Sequence, residues 1–336
     1  MDARTTLRRL LGGAMGTHVI GVAADLGLAD TIGEGRRVAE IARAHDLPAD
    51  RMTRLLRAFA GLGYCVEREP GVYALTEAGS LLRKDDPRSL LALAKLSTAP
   101  VTERPWRRLR DSLRTGRPAF EDVFGCPAFE YFAGEPEQSA NFNAAMSQGT
   151  HDFAEAVSGV YDFGRYATIV DLGGGDGTLL AAILRGAPEA RGVVFDLEAA
   201  TAESARILDR AGVSDRTTVV TGDFRENVPE ADLYVIKSVL HNWDDDQAAV
   251  VLGHCRAAMR QDGRVLIADP VLPELACADE RPFDPYLMDL HMLVVVGGRE
   301  RTRSEFETLC ARAGLAVTTV VDVPGTGLSL VEAEAR

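Results

Sequence analysis

The stretch VDLGGGDGTLLAAIL, from Val170 to Leu184, joins a short apolar run to a glycine cluster and then to an apolar segment with helical spacing. The apolar run ends in an acid, Asp171, and four of the next six residues are glycines. Glycine has no Cβ and adopts positive φ easily, so a ligand can approach the backbone of such a turn closely. The stretch therefore predicts a strand, a ligand-binding turn and a helix.

Strands and helices alternate from Ala167 onward, on both sides of this stretch. This alternation predicts a parallel sheet that is covered on both faces. Two final apolar runs flank a turn that contains proline and glycine, which predicts a hairpin and an antiparallel last strand. The predicted strands are ATIVDL, GVVFDL, TTVVTGDF, DLYVIKSVL, RVLIADPVL, LAVTTVVDV and LSLVEAEA, and the predicted helices cover residues 178–185, 201–211, 244–260 and 302–313.

The first third of the chain has a different pattern, with helical spacing from Leu7 to Leu28 and then a compact unit. That unit reads as a helix over 38–44, a helix over 50–62 and a hairpin of two strands, which is the order of a winged helix. We therefore predict a mainly α winged-helix domain over residues 1–95. Residues 96–336 form the predicted α/β catalytic domain, in which 96–160 are a helical linker and substrate-lining segment.

Composition restricts the functional class. The chain has 336 residues, a formal net charge of −13 and five cysteines, none of them at CxxC spacing. An excess of acid argues against broad nucleic-acid binding, and the scattered cysteines favour reduced thiols over a metal site. No apolar run approaches the roughly 18 residues of a membrane span, and the first residues lack the apolar core of a signal peptide. We expect a cytoplasmic protein without nucleic-acid or membrane partners.

The glycine pattern distinguishes between two kinds of nucleotide-like ligand. The dinucleotide fingerprint GxGxxG would need a glycine where Thr178 stands, and the carboxylate of Asp171 would repel a pyrophosphate. A ligand with an amine and a sulfonium would instead be attracted. Asp196, at the end of the second strand, suits two ribose hydroxyls, while Asp223 and Phe224 suit the amine and the face of an adenine. The alternative for the glycines alone is an ordinary tight turn.

The motifs DLGGGDGTLL, FDL, GDF, KSVLHNWDDDQ and GGRERTRSEF together resemble the class I S-adenosylmethionine-dependent O-methyltransferases. The resemblance is to the small-molecule type with an N-terminal winged-helix dimerisation domain, which includes plant caffeic-acid-type enzymes and bacterial enzymes that tailor aromatic polyketide antibiotics. It implies a Rossmann-like seven-stranded sheet, a homodimer, S-adenosylmethionine as cofactor with S-adenosylhomocysteine as product, and no metal. With the glycine pattern, it gives as cofactor-binding candidates Asp171, Gly173, Gly175, Asp196, Asp223, Phe224, Lys237 and Ser238.

The catalytic candidates are His241, Asp269 and Glu300. His241 follows the fourth strand, and ligands of open α/β sheets bind beyond the carboxyl ends of the strands. A neutral imidazole can take the proton of a phenol as the new bond forms, and the resemblance places Asp269 and Glu300 beside it to orient the ring and stabilise its charge. The alternatives are a buried histidine bonded to a backbone carbonyl, an acid that caps the turn before Pro270, and an ordinary surface charge at Glu300.

The acceptor is expected to be a small aromatic molecule, of phenolic or polyketide type, bound between two helices that the resemblance places around it. Each helix carries two large apolar side chains four residues apart, a pattern that by itself is more often core. His291, in DLHML, either lines the pocket or packs, and Asn242 stands where the family often has aspartate. The candidates are Phe142, Met146, Asn242, Met288, His291 and Met292, with Trp106 as a further one.

Three other functions remain open from the sequence. The first is a tailoring enzyme of the same fold that binds the cofactor but hydroxylates or decarboxylates its substrate. The second is a winged-helix DNA-binding regulator, although the net charge of Arg36–Arg68 is only mildly basic and a complete catalytic module follows. A nicotinamide dehydrogenase is the least favoured, because of the glycine pattern.

Overall fold

The computed structural model describes residues 2–278 and 285–336. These residues divide into two compact units. The first contains the described residues up to Arg104 together with Glu135–Gln148, and the second contains Pro105–Gly134 and Gly149–Arg336. The domain boundary predicted at residue 95 stays a prediction.

The first unit is mainly helical and carries a small antiparallel sheet. Its apolar core is built mainly from side chains of the helices and strands, including Leu28, Ile41 and Phe59, all of which are fully buried. The elements are α1 (Ala3–Leu26), α2 (Leu28–Ile32), β1 (Arg36–Arg37), α3 (Val38–Ala44), α4 (Ala49–Gly61), β2 (Cys65–Glu69), β3 (Val72–Leu75), α5 (Glu77–Ser80) and α6 (Leu91–Thr98).

The winged-helix order predicted from the sequence is confirmed. Helices α3 and α4 precede the hairpin of β2 and β3, and β1 pairs with the other edge of β3. Helix α4 is strongly amphipathic, because Met52, Leu56 and Phe59 recur at helical spacing and are all buried. The hairpin turns at Gly71, between β2 and β3, where φ is +77°.

The second unit contains a seven-stranded sheet in the order β11-β12-β8-β7-β4-β5-β6. Six of its strands run in the same direction, and only β12, among the seven strands of this sheet, runs antiparallel to its neighbours, as predicted. A separate short parallel pair is formed by β9, which directly follows β8 in the chain, and β10. The strands are β4 (Thr168–Leu172), β5 (Arg191–Asp196), β6 (Thr217–Thr221), β7 (Ala231–Lys237), β8 (Met259–Asp269), β9 (Val271–Leu272), β10 (Arg301–Thr302), β11 (Leu315–Asp322) and β12 (Ser329–Ala335).

The central strands read as nearly continuous apolar runs because helices cover both faces of the sheet. In β4, for example, Ile169, Val170 and Leu172 are fully buried on alternating sides. The two resulting apolar clusters, one on each face, form the core of the second unit. The sheet is therefore the rigid element that fixes the positions of the residues at its carboxyl edge.

The remaining helices lie before the sheet or between its strands. The helices predicted between strands all form, with ends shifted by at most three residues. None of the described helices is both long and apolar enough to cross a membrane. They are α7 (Pro100–Trp106), α8 (Leu109–Thr115), α9 (Ala119–Phe124), α10 (Ala128–Gly134), α11 (Pro136–Val157), α12 (Thr178–Gly186), α13 (Ser204–Arg210), α14 (Asp245–Ala258), α15 (Pro285–Val295) and α16 (Arg303–Arg312).

Candidate active site

Four adjacent parallel strands end at one edge of the sheet, and each ends in or next to a charged residue. The backbone register pairs Leu172 with Phe195 and Lys237 with Ala268. The side chains at the carboxyl ends of these strands are therefore neighbours along this edge. They are Asp171 on β4, Asp196 on β5, Lys237 on β7 and Asp269 on β8. Because ligands of open α/β sheets bind beyond this edge, the sheet brings together four of the predicted site residues.

The glycine turn after β4 folds back onto Asp196. The N–H of Gly175 donates a hydrogen bond of 2.9 Å to one carboxylate oxygen of Asp196, and the N–H of Leu197 donates one of 2.7 Å to the other. Gly173 has a φ of +75°, and a Cβ there would lie 2.5 Å from Cγ2 of Val239. Any other residue at position 173 would have a strained backbone and a side chain that overlaps Val239, which explains the glycine.

Asp171 is buried beneath this turn without a full set of partners. Its side chain is almost inaccessible, and among the residues that the structure describes, Oδ2 has no hydrogen-bond donor. Burial raises the pKa of Asp171 to about 7, and the positive charge of Lys237 opposes that rise. A buried carboxylate oxygen without a donor is costly, so the position is suited to a ligand that brings a donor or a positive charge.

Lys237 and Ser238 lie side by side at the end of β7. The Nζ of Lys237 lies 6.0 Å from the centroid of the Phe153 ring and 3.4 Å from Oγ of Ser238. Burial lowers the pKa of Lys237, while the carboxylates of Asp171 and Asp269 act in the opposite direction. Ser238 itself has a φ of +53°, which is unusual for a residue other than glycine.

Asp223 and Phe224 lie beyond β6, where the sequence predicts an adenine site. Asp223 forms an ion pair with Arg225 at 2.5 Å, and this partner lowers the pKa of the carboxyl group. The ring of Phe224 meets that of Trp243 edge-on at 6.4 Å, and the Arg225 guanidinium lies 5.1 Å from the Trp243 ring. An adenine amine bound to Asp223 would share this carboxylate with Arg225.

His241 is held in a short 3-10 turn, Leu240–Asn242, directly after β7. Its Nδ1 lies 2.9 Å from Oε1 of Glu300, and the Glu300 side chain is fully buried. The N–H of Glu300 in turn donates a hydrogen bond of 2.8 Å to Asp289 on α15. The alternatives for these residues are wrong: His241 is bonded to a carboxylate rather than a carbonyl, and Glu300 is not a surface charge.

Asp269 is fully buried, and neither of its carboxylate oxygens has a hydrogen-bond partner among the described residues. It therefore does not cap the turn before Pro270. In the parallel pair of β9 and β10, Val271 lies opposite Arg301. Asp269 precedes Val271 by two residues and Glu300 precedes Arg301 by one, so both acids lie just before this strand pair. Burial raises the pKa of Asp269 to about 7, and the charge of His241 opposes the rise.

The electrostatic balance at His241 favours its charged form. Burial alone would lower the pKa of His241, but the carboxylates of Asp269 and Glu300 together outweigh burial and raise the pKa above its ordinary value. A proton taken up at this ring would therefore be stabilised by two buried acids. The pair of His241 and Glu300 can act as a general base with an orienting carboxylate.

Asn242 takes part in the turn rather than in the acid cluster. Its Nδ2 donates a hydrogen bond of 3.2 Å to the carbonyl of Ser238, four residues earlier. The carbonyl of His241 accepts the N–H of Arg299 at 2.9 Å, and a Cβ at Gly298 would overlap that carbonyl. The assignment of Asn242 to the substrate stays a prediction.

Two features of the site were not predicted from the sequence. Arg301 is completely buried, and its guanidinium bonds the carbonyls of Leu240 and Trp243, on either side of His241, at 3.2 and 2.9 Å. The indole N–H of Trp106 donates a hydrogen bond of 2.9 Å to Nδ1 of His291. The sequence signal for Arg301 was its place in the motif GGRERTRSEF, and the signal for His291 was its place among apolar residues in DLHML.

The predicted acceptor residues fall into two groups. Met288, His291 and Met292 lie on α15, the helix whose Asp289 holds Glu300, and Met292 is buried. Phe142 and Met146 lie on the part of α11 that belongs to the first compact unit. The assignment of all five to the acceptor stays a prediction.

The residues at the edge of the sheet fit a cationic nucleoside cofactor. Four buried carboxylate oxygens without hydrogen-bond partners in the described chain, on Asp171, Asp269 and Glu300, surround one lysine and one histidine. Asp196 keeps lone pairs beyond the two backbone N–H groups that it accepts. A ligand with an amine, a sulfonium and a ribose diol would supply the missing positive charge and donors.

A seven-stranded sheet with an antiparallel last strand and such an edge defines the Rossmann-like class of methyltransferase fold. The chain belongs within this class to the O-methyltransferase family. It matches the O-methyltransferase domain over residues 106–316 and the O-methyltransferase dimerisation domain over residues 8–85.

Individual relatives agree with this assignment. The chain is 41% identical to O-demethylpuromycin-O-methyltransferase of Streptomyces alboniger, over 98% of this chain and 89% of the relative. The crystal structure of LaPhzM superposes with a TM-score of 0.92 at 38% identity and covers 100% of both chains. An O-methyltransferase from neocarzinostatin biosynthesis, crystallised with S-adenosylmethionine and 2-hydroxy-5-methyl naphthoic acid, has a TM-score of 0.81, 34% identity and coverage of 95% and 96%. The relatives thus include enzymes of antibiotic biosynthesis.

Proposed function

We propose that the protein is an S-adenosylmethionine-dependent O-methyltransferase that methylates a hydroxyl of a small aromatic metabolite, of phenolic or polyketide type. The observation that carries the proposal is the hydrogen bond between Nδ1 of His241 and the buried Glu300, beside buried carboxylate oxygens that have no hydrogen-bond partner among the described residues. Family membership supplies the reaction class, and this arrangement supplies a base for a hydroxyl acceptor.

The cofactor would lie along the edge of the sheet. Asp196 would accept both ribose hydroxyls, the glycine turn at Gly173 and Gly175 would pass under the ligand, and Asp171 would attract its positive charge. Asp223 and Phe224 would bind the adenine, with Lys237 and Ser238 nearby. S-adenosylmethionine supplies an electrophilic methyl group on a sulfonium.

His241 would act as the general base. A carboxylate can only accept, so the bond to Glu300 places the ring proton on Nδ1 and leaves the lone pair on Nε2. Nε2 can then take the proton of the acceptor hydroxyl, and Glu300 and Asp269 stabilise the imidazolium that results. Holding the hydroxyl in place contributes further, because orientation alone supplies a large part of many barrier reductions.

We also propose that the protein is a homodimer. The family match includes a dimerisation domain over residues 8–85. Helix α1 exposes a series of large apolar side chains, which soluble monomers rarely leave in contact with water as a group. They are Leu7, Leu10, Leu11, Met15 and Val22.

Titration calorimetry with S-adenosylmethionine and then S-adenosylhomocysteine tests the cofactor. The wild-type protein should bind both, and Asp196→Ala should bind about 10- to 100-fold more weakly, because hydrogen bonds to a charged group contribute about 1.5–3 kcal/mol. Glu198→Gln, which neutralises an exposed carboxyl group two residues away, is the matched control and should bind like wild type. Absence of binding by the wild type would refute the proposed function.

Methyl transfer should survive incubation with EDTA. The proton acceptor and its supporting charges come from the chain itself, and no group of three or more His, Cys, Asp or Glu in the described part of the chain is placed to hold a metal ion. Turnover is measured by the mass gain of one methylene in a panel of aromatic phenols, before and after dialysis against EDTA. Loss of turnover that added Mg²⁺ restores would contradict this prediction.

The same panel separates the competing functions. A hydroxylase would add an oxygen atom and a decarboxylase would release carbon dioxide, so the product mass distinguishes both from methylation. We do not favour either, because the pair of His241 and Glu300 is assembled as a base requires. For a DNA-binding regulator, a gel shift with random duplex would persist at physiological salt.

A further inference from the structure

The bond between Trp106 and His291 determines where the proton of His291 lies. The indole N–H is a donor only, so Nδ1 of His291 must accept with its lone pair at 2.9 Å. In a neutral imidazole the single proton is then on Nε2. The two rings also stack, with centroids 6.1 Å apart and planes inclined by 21°. His291 is thus fixed as one tautomer, with Nε2 as a donor.

The surroundings of His291 oppose its protonation, whereas those of His241 favour uptake of a proton. Burial and the charge of His241 lower the pKa of His291 to about 4. Protonation would place an N–H on Nδ1 directly against the N–H of Trp106 and would break their hydrogen bond. The two histidines therefore have opposite roles at neutral pH, because His241 is suited to take up a proton and His291 is not.

The chain connects His291 closely to the reacting residues. It lies on α15, whose Asp289 accepts the N–H of Glu300. The segment after α15 returns to the turn of His241, since the N–H of Arg299 donates to the carbonyl of His241. The Nε2 of His291 has no hydrogen-bond partner among residues 2–278 and 285–336, so this donor is available to a bound molecule.

We propose that His291 is a specificity-determining residue, which donates from Nε2 to a second oxygen that the acceptor carries beside its reacting hydroxyl. The inference rests on the proposed O-methyl transfer and names the substrate class: phenols with a carbonyl or carboxylate in the ortho or peri position. In such molecules the hydroxyl is hydrogen-bonded to its neighbour. A donor from His291 to the neighbouring oxygen releases the hydroxyl proton for His241.

The kinetic test uses pairs of isomers in which the second oxygen is adjacent or remote, such as 1-hydroxyanthraquinone with 2-hydroxyanthraquinone, and 1-hydroxy-2-naphthoate with 6-hydroxy-2-naphthoate. The wild type should prefer the adjacent isomers by about 10-fold in kcat/KM, the worth of one good hydrogen bond. His291→Phe should reduce this preference to about 1, and His291→Gln, whose amide presents an N–H near the position of Nε2, should keep most of it.

Three results would overturn the proposal. They are an equal or reversed isomer preference in the wild type, a preference that His291→Phe leaves unchanged, and no turnover of any adjacent isomer by protein that binds S-adenosylmethionine. Failure of cofactor binding itself would instead refute the proposed function, so the two failures are distinguishable.

The tautomer is tested separately by ¹⁵N NMR of the imidazoles, with His291→Phe to identify the signal. The His291 signals should show an unprotonated Nδ1 and a protonated Nε2 down to about pH 5, because the pKa is about 4. Trp106→Phe keeps an aromatic ring at this position but removes the donor, so the preference for the Nε2–H tautomer should weaken. A wild-type signal with the proton on Nδ1 would contradict the assignment.

Discussion

His241→Ala should lose about 10²- to 10⁴-fold in kcat/KM on an ordinary phenol, the usual contribution of general acid–base catalysis. A phenol titrates near pH 10, so its proton must be removed as the new bond forms. On a phenol whose electron-withdrawing groups leave it ionised at pH 7, that proton is already absent. The loss on the acidic phenol should therefore be much smaller, while the cofactor affinity remains unchanged.

The pH profile gives the same test an independent readout. His241 must be neutral to act as a base, and the acids around it raise its pKa above its ordinary value. Wild-type kcat/KM should therefore be low in acid and rise with pH through an apparent pKa above about 6.5, a value that belongs to the coupled cluster rather than to one group. His241→Ala should lack this rise. Equal losses on both phenols, with the rise retained, would remove the base role.

The sequence predicted the strand ends and the glycine turn that underlie the site, because each of these features depends on residues that are close together in the chain. A strand that ends in Asp171 and continues into glycines predicts a ligand turn, and the parallel sheet then brings Asp196, Lys237 and Asp269 to the same edge. Short-range patterns and one topological rule suffice for Asp171 and Asp196, whereas Lys237 and Asp269 were assigned to the site through the family resemblance. The role of His241 was predicted from its place after the fourth strand, and its bond to Glu300 came only from resemblance.

The contacts that the sequence did not predict join residues that are far apart in the chain. The bond between Trp106 and His291 spans 185 residues, and no periodicity indicates it. Arg301 looks like one of three alternating arginines in RERTR, yet it is buried whereas Arg303 is half exposed. Burial of an arginine depends on which carbonyls surround it, and that is decided by packing.

Arg301 joins the strand pair at Glu300 to the turn that carries His241. Its guanidinium donates to the carbonyls of Leu240 and Trp243 and pairs with Asp245 at 2.9 Å. The fork of guanidinium donors can bond these groups together, which a single ammonium cannot do with the same geometry. We infer that Arg301 is a positioning residue, which acts through the backbone on either side of His241.

Arg301→Met should therefore lower both the stability of the protein and its rate of turnover. An unsatisfied buried acceptor costs about 1–3 kcal/mol, so the loss of donors to two carbonyls should lower the free energy of unfolding by about 2–4 kcal/mol. Displacement of His241 by about 1 Å should lower kcat by about 10²-fold with a smaller change in KM. Loss of a positive charge near Asp269 should also move the rise of kcat/KM to higher pH. Arg301→Lys should fall between wild type and Arg301→Met.

Arg303→Met is the matched control, because this arginine is two residues away and forms an exposed i,i+4 pair with Glu307. It should change the free energy of unfolding by no more than about 0.5 kcal/mol and leave the pH profile as in wild type. Chemical denaturation and steady-state kinetics of all four proteins separate the two effects. If Arg301→Met and Arg303→Met had the same kcat and the same pH profile, the turn of His241 would hold its geometry without the arginine.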